Sequence, residues 1–192
     1  ILTIICMIFY KLAGMNYFDA IGHSFSTVSI GGFSTHNESI GYYSSDYIKI
    51  ICMAFMFLSA LNFVLHFLFY KTKSFNNYFS NSEAKTFLAI ITGLLILVFL
   101  FSIGGRLSSI DNIDLIFHVL SFVTTSGFTV SEYNLWPTFI IMLIFLSSFI
   151  GACAGSAGGG MKVIRITIAL KSIKKQLLKV IHPKAQISIK VN

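Results

Sequence analysis

The stretch SFSTVSIGGFSTH, residues 24–36, is rich in hydroxyls and glycine, yet it stands between segments apolar enough for the middle of a bilayer. Something close to it, VLSFVTTSGFTVS, returns at residues 119–131. Laying FDAIGHSFSTVSIGGF (18–33) over IDLIFHVLSFVTTSGF (113–128) pairs Asp19 with Asp114, His23 with His118, Ser26 with Ser121, Gly32 with Gly127 and Phe33 with Phe128. Counting Ile21 with Ile116 and Val28 with Val123, seven of sixteen positions are identical without a gap. An apolar span precedes and follows each copy, so the chain reads as a duplicated unit with a period of 95 residues.

Composition places both units in a membrane. The 192 residues are 55% hydrophobic and 11% charged, with 20 Phe, too few charges for the surface of a soluble fold. Thr86 to Ile103 is an 18-residue run without a charge, and Tyr47 to Phe69 spans 23 residues with Lys49 near one end and His66 near the other. Each is long enough to cross about 30 Å of hydrocarbon as a helix. The run from Ile1 to Phe9 is about half a span and has no initiating Met or basic leader, so the chain is expected to be a piece of a longer protein.

Net charge is +7. Lys71, Lys73 and Lys85 cluster after the second apolar span and eight more bases lie from Lys162 to Lys190; Lys11, Lys49 and Arg106 lie elsewhere. The positive-inside rule makes the 71–85 loop and the tail cytoplasmic. Six of the seven acids, Asp19, Glu38, Asp46, Asp111, Asp114 and Glu132, then fall outside. The tail KSIKKQLLKVIHPK lacks aromatics for base stacking, so membrane lipid rather than nucleic acid is its expected partner. Cys6, Cys52 and Cys153 suit neither a metal site nor a disulfide framework and read as buried small hydrophobes.

In each unit the Asp is expected to cap a short helix, Ala20 to Ser29 and Leu115 to Thr124, too short to cross and therefore re-entrant. Irregular backbone at that depth is tolerated only in protein or beside a wet cavity. The turn after each helix can then aim carbonyls at a cation and replace its hydration shell, helped by the negative end of the helix. Gly32 and Gly127 permit the required backbone angles. The alternative for each turn is a loop cap that holds helices together.

Thr138 to Ile150 gives only 13 apolar residues before GACAGSAGGG (151–160), whose five glycines disfavour a continuous helix by roughly 1 kcal/mol each relative to Ala. The segment reads as a flexible intramembrane loop, with Gly151, Gly155, Gly158, Gly159 and Gly160 as hinges, Ser156 as polar lining and Lys162 at the cytoplasmic edge. Gly151, Gly155 and Gly159 also have the spacing of a close helix-packing stripe. GSAGGGMK misses a phosphate loop by one place, lacks the following Ser or Thr and follows an apolar span. Ser156 does not sit in the GxSG turn of an intramembrane protease. With no convergent acid, base and nucleophile, no catalysis is expected, and the chain is read as not an enzyme.

HSFSTVSIGGFSTHNESIGYY, LSALNFVLHF, VTTSGFTVSEYNLWP and GACAGSAGGGMKVIR together resemble the second and third pore repeats of the Trk, Ktr and HKT superfamily of potassium transporters. The resemblance covers nearly the whole chain. It implies an all-α integral membrane fold of two membrane-pore-membrane repeats with re-entrant pore helices, half of a pseudo-fourfold, channel-like pore. It implies potassium uptake, with Ser29, Ile30, Gly31, Gly32 and Thr124, Thr125, Ser126, Gly127 as filter ligands for K⁺. The 151–160 loop with Lys162 would be the gate that obstructs the closed pore. No cofactor is implied beyond the transported ion. Implied partners are a second copy in a homodimer and a cytosolic nucleotide-binding regulatory (TrkA-like) subunit; the implied location is the bacterial inner (plasma) membrane, multi-pass.

The corresponding divisions are 1–70, a repeat with a truncated first span; 71–85, a solvated cytoplasmic connector; 86–170, a repeat whose second span is broken; and 171–192, a basic cytoplasmic tail. Where the superfamily usually has Gly before its ALNF-like turn this chain has Ala60, so a milder break is expected there. His23 and His118 are expected to pack by hydrogen bonds, Asn62 and His66 to face the pore or bond a neighbouring helix, and Arg165 to snorkel. A discontinuous-helix proton- or sodium-coupled transporter and a non-conducting truncated subunit are the alternative readings.

Overall fold

The structure, a computed structural model, describes residues 1–102 and 110–181. Ile103, Arg106 and the tail beyond 181, with Lys184 and Lys190, lie outside the described residues. Nine α-helices and two short 3₁₀ turns, Ser39–Tyr42 and Tyr133–Leu135, make up the regular structure among the described residues, and there are no strands. The helices are α1 (Leu2–Leu12), α2 (Tyr17–Val28), α3 (Asp46–Ala60), α4 (Phe63–Thr72), α5 (Asn76–Ser80), α6 (Ser82–Phe101), α7 (Asn112–Val123), α8 (Thr138–Ser147) and α9 (Val163–Ile181).

The 95-residue period is a structural period. Helices α2 and α7 are both 12 residues long and start 95 positions apart. They begin a turn earlier than the sequence suggests. Asn16 and Asp111 are the caps, their side chains accepting from the N–H groups of Asp19 and Ile113. Asp19 and Asp114 sit inside the first turn, where the helix dipole favours a carboxylate.

Their partners differ. Asp19, buried, accepts from Asn16 Nδ2 (2.8 Å), Thr35 Oγ1 (2.5 Å), His36 Nε2 (3.0 Å) and Tyr43 OH (2.7 Å). Burial, followed by the Asp19 carboxylate, pushes the Tyr43 phenol above its ordinary value. Asp114 instead receives Lys49 Nζ at 2.8 Å from the first turn of α3, so an ion pair ties one repeat to the other where α3 packs on α7.

Of the described helices, only α6 is long and apolar enough to cross a membrane alone, and it is 22% buried over its most apolar window. The core helix of a soluble protein would be mostly covered. The apolar stretch over 47–69, long enough to cross as one helix but expected to break near Ala60, is bent by 94° between α3 and α4. Side chains and a facing loop take up the backbone groups that the bend frees. Asn62 Oδ1 accepts from Val64 N at 2.9 Å, and His66 Nε2 donates to Leu58 O at 2.9 Å while its Nδ1 accepts from Tyr78 OH at 2.7 Å. His66 therefore bonds its own bend and the α5 segment.

Two apolar clusters flank the glycine turns. One gathers Tyr10, Met15, Ile40, Met56, Phe117 and Phe128; the other gathers Phe87, Leu115, Trp136, Ile140 and Ile144. The 71–85 connector holds α5 and the start of α6, and α9 runs without interruption through residue 170.

The Lys49–Asp114 pair is largely desolvated, with side chains 12% and 13% exposed. Lys49→Met should lower the unfolding free energy of the detergent-solubilised protein by about 3 kcal/mol, by stranding Asp114. Lys49→Met combined with Asp114→Leu should recover most of that loss, read from denaturation midpoints in a double-mutant cycle.

Candidate functional site

After α2 and α7 the chain makes two turns of the same backbone pattern. Residues of positive φ alternate with ordinary ones: Ile30 (+55°) and Gly32 (+69°) in the first, Thr125 (+66°) and Gly127 (+84°) in the second. The N–H of Ile30 goes back to Thr27 O (3.2 Å) and that of Gly31 to Ser26 O (2.8 Å); Thr125 N reaches Phe122 O (3.0 Å) and Ser126 N reaches Ser121 O (2.8 Å). With Ser29 N on Phe25 O and Thr124 N on Leu120 O, each helix end thus takes up the first three donors of its turn. Among the described residues, no backbone or side-chain donor bonds the carbonyl oxygens of 29–32 or of 124–127. Eight acceptors are left unclaimed by the described residues.

Ile30 and Thr125 are β-branched residues in the left-handed region, a conformation that costs about 1–3 kcal/mol. Packing holds the first and a hydrogen bond the second. Ile30 is 7% exposed, in one cluster with Ala60, Leu61 and Cys153, and Thr125 Oγ1 accepts from Gly159 N at 2.7 Å. The two turns touch: a Cβ on Gly32 would lie 2.0 Å from Ser126 O. Behind the first turn, His23 Nδ1 donates to Asp19 O (2.9 Å) and its Nε2 accepts from Ser34 Oγ (2.8 Å). His118 Nδ1 repeats the first of these bonds to Asp114 O at 2.8 Å. Both rings are fully buried packing groups.

Residues 151–162 are non-helical and lie against both turns and against the α3/α4 bend. The bend and this segment complete each other's hydrogen bonding. Cys153 N donates to Ala60 O (3.0 Å), Ala157 N to Ser59 O (3.2 Å), and Phe63 N to Gly155 O (3.1 Å). The bend, 95 positions before residues 156 and 157, is the matching break of the first repeat.

Of the predicted hinge glycines, Gly151, Gly155 and Gly160 have positive φ, and Gly151 and Gly160 bring the ends of the segment together: a Cβ on Gly151 would meet Gly159 O at 2.2 Å. The small-residue spacing therefore serves loop closure and not a helix stripe, since the segment has no helix face. Gly158 lies under the second turn, where its Cβ would be 2.9 Å from Thr124 O. Ser156 Oγ donates to Cys153 O at 2.5 Å, so its hydroxyl is spent within the segment. Lys162 Nζ turns back onto Gly158 O and reaches Ser156 O at 3.5 Å. Arg165 is exposed on α9.

Glu83, which the sequence did not single out, bonds this segment through Ala154 N (2.6 Å) and α9 through Ile164 N (3.2 Å). Its one available signal was being the lone acid on the basic side of the chain. No group of three or more His, Cys, Asp or Glu fit to hold a metal ion occurs among the described residues.

A family profile described as "TrkH: Cation transport protein" matches residues 1–192. The Trk system potassium uptake protein TrkH of Halomonas elongata is 44% identical over 99% of this chain, and that of Escherichia coli strain K12 is 41% identical over all of it. In both cases the chain spans 40% of the relative's length. The crystal structure of the potassium transporter TrkH from Vibrio parahaemolyticus superposes with a TM-score of 0.93 at 42% identity, over all of this chain and 42% of that one. With its helical order, its two matched turns and its whole length accounted for in these likenesses, the chain belongs to the TrkH family of cation transport proteins.

Proposed function

We propose that this chain supplies two walls of a potassium-conducting pore, built from two membrane-pore-membrane repeats. The observation that carries the reading is the set of eight carbonyl oxygens at 29–32 and 124–127 that no protein donor claims. Alternating left- and right-handed angles send successive N–H groups to one side and C=O groups to the other. The helix ends take the first three N–H groups of each turn, which leaves the oxygens for a dehydrated cation. A loop cap would instead spend its carbonyls on neighbouring chain. The named activity of the relatives, potassium uptake, supports K⁺ as the cargo.

In this reading α2 and α7 are re-entrant pore helices whose C-terminal ends favour a cation. Residues 151–160 with Lys162 are the gate below the filter. The bases at 71–85 and in α9 face the cytoplasm of a bacterial inner membrane. The remaining repeats, a second copy of the chain and a cytosolic nucleotide-binding regulatory subunit complete the assembly.

Four measurements on the full-length chain, reconstituted in liposomes, test this. Gly32→Ala places a methyl against Ser126 O at a left-handed φ, which costs about 1–2 kcal/mol for the angle alone; rubidium flux should fall and discrimination against sodium should be lost. Gly127→Asp should abolish flux as well; unchanged flux in both variants would favour a subunit that does not conduct. Deleting Ala154 to Gly159 should raise basal flux, and unaltered flux would end the gate assignment. Ohmic current, rather than saturable flux coupled to protons or sodium, separates a pore from a secondary transporter with broken helices.

A further inference from the structure

Glu83 is the seventh acid of the chain, set among Lys71, Lys73 and Lys85, yet it is only 8% exposed. A lone carboxylate is costly to bury unless donors meet it. Both donors that meet Oε1 are backbone N–H groups, one inside the glycine-rich segment and one beyond it: Ala154 N at 2.6 Å, and Ile164 N at 3.2 Å in the first turn of α9. Capping α9 accounts for the second bond alone. The first ties the middle of the non-helical segment to the start of α6, a helix whose own cap is Asn81. Lys162 Nζ folds back onto Ser156 O and Gly158 O from the segment's own end, but the bonds that tie the segment to the α3/α4 bend and the second turn, at Ala60, Ser59, Phe63 and Thr125, are neutral, and a bond to a carboxylate is about twice as strong as such a bond.

We propose that Glu83 is the positioning residue that holds residues 151–160 beneath the glycine turns, and that the Glu83–Ala154 bond is the one released when the segment swings aside. This rests on the reading of 151–160 as a gate. The segment cannot leave the turns while Ala154 stays on α6, and once it leaves, water entering the vacated space can solvate the carboxylate. Removing the charge therefore weakens the closed arrangement more than the open one, and leaves the oxygens of both turns untouched.

The test uses the full-length chain with Cys153 as its sole cysteine, the others replaced by Ala. Cys153 is 1% exposed and precedes Ala154, so the rate at which a maleimide labels it reports movement of the segment. Glu83→Gln, which keeps the volume and one acceptor oxygen, should raise both basal rubidium flux and Cys153 labelling by about tenfold. Glu83→Ala should exceed it, Glu83→Asp should fall between wild type and Glu83→Gln, and rubidium-over-sodium selectivity should not change.

If deletion of Ala154 to Gly159 raises flux while Glu83→Gln and Glu83→Ala leave flux and labelling at wild-type levels, the gate stands and the role of Glu83 is overturned. If the deletion leaves flux unchanged, the gate reading itself fails and this proposal goes with it. Should the Glu83 variants lower the melting temperature without faster flux or labelling, Glu83 is a packing residue and the proposal is likewise wrong.

Discussion

Hydrocarbon offers no partner to a peptide group, so a helix that breaks inside a bilayer must find one in the protein for every N–H and C=O it frees. This chain breaks two helices and sets the breaks against each other. The α3/α4 bend gives up the carbonyls of Ser59 and Ala60 and the N–H of Phe63, and these are met by Ala157, Cys153 and Gly155 of the other repeat. Asn62 and His66 take further groups at the bend. Neither break would be tolerable alone, which is why both recur at the same place in the 95-residue period.

The same accounting gives the opposite result at the two glycine turns. There the first three N–H groups of each turn are absorbed by the preceding helix while the carbonyls stay open, and Ile30 and Thr125 are held at strained left-handed angles. A fold that satisfies its backbone so thoroughly a few residues away does not leave eight acceptors free through carelessness. The two turns are alike in backbone and unlike in support. Asp19 anchors the outer return of its turn through Thr35, His36 and Tyr43, whereas Asp114 spends its carboxylate on Lys49 of the other repeat. The equivalent aspartates of the two copies thus serve one as a local anchor and the other as a tie between repeats.

Much of this could be read in the residues. The gapless match of 18–33 to 113–128 carried the repeat, both short helices and the paired turns, because a duplicated backbone keeps the residues its angles demand, glycine above all. The non-helical nature of 151–160 was readable from glycine density. Three features were not. Helix starts were misplaced by a turn because Asp in a first turn and Asp at a cap look alike in sequence, and Asn16 is an equally good cap. A break near Ala60 followed from the resemblance, but its 94° extent did not, because the backbone partners that stabilise it lie more than 90 residues further on. The roles of Lys49 and Glu83 depend on partners 65 and 71 or more positions away, a distance across which a single sequence carries no pairing signal.

The contacts beneath the turns are graded, and the grading bears on motion. Neutral backbone bonds such as Cys153 to Ala60 contribute about 1 kcal/mol each once the alternative of bonding water is counted. A segment held only by these can exchange them for water when a wet cavity opens. Gly159 N on Thr125 Oγ1 links the segment directly to a strained residue of the second turn, so displacement of the segment also removes a bond that helps keep Thr125 left-handed. The geometry of the second turn and the position of the segment are therefore not independent variables in this fold. The glycines at 158 and 159 permit the approach that couples them, and any larger side chain there would push the segment away from the turn it touches.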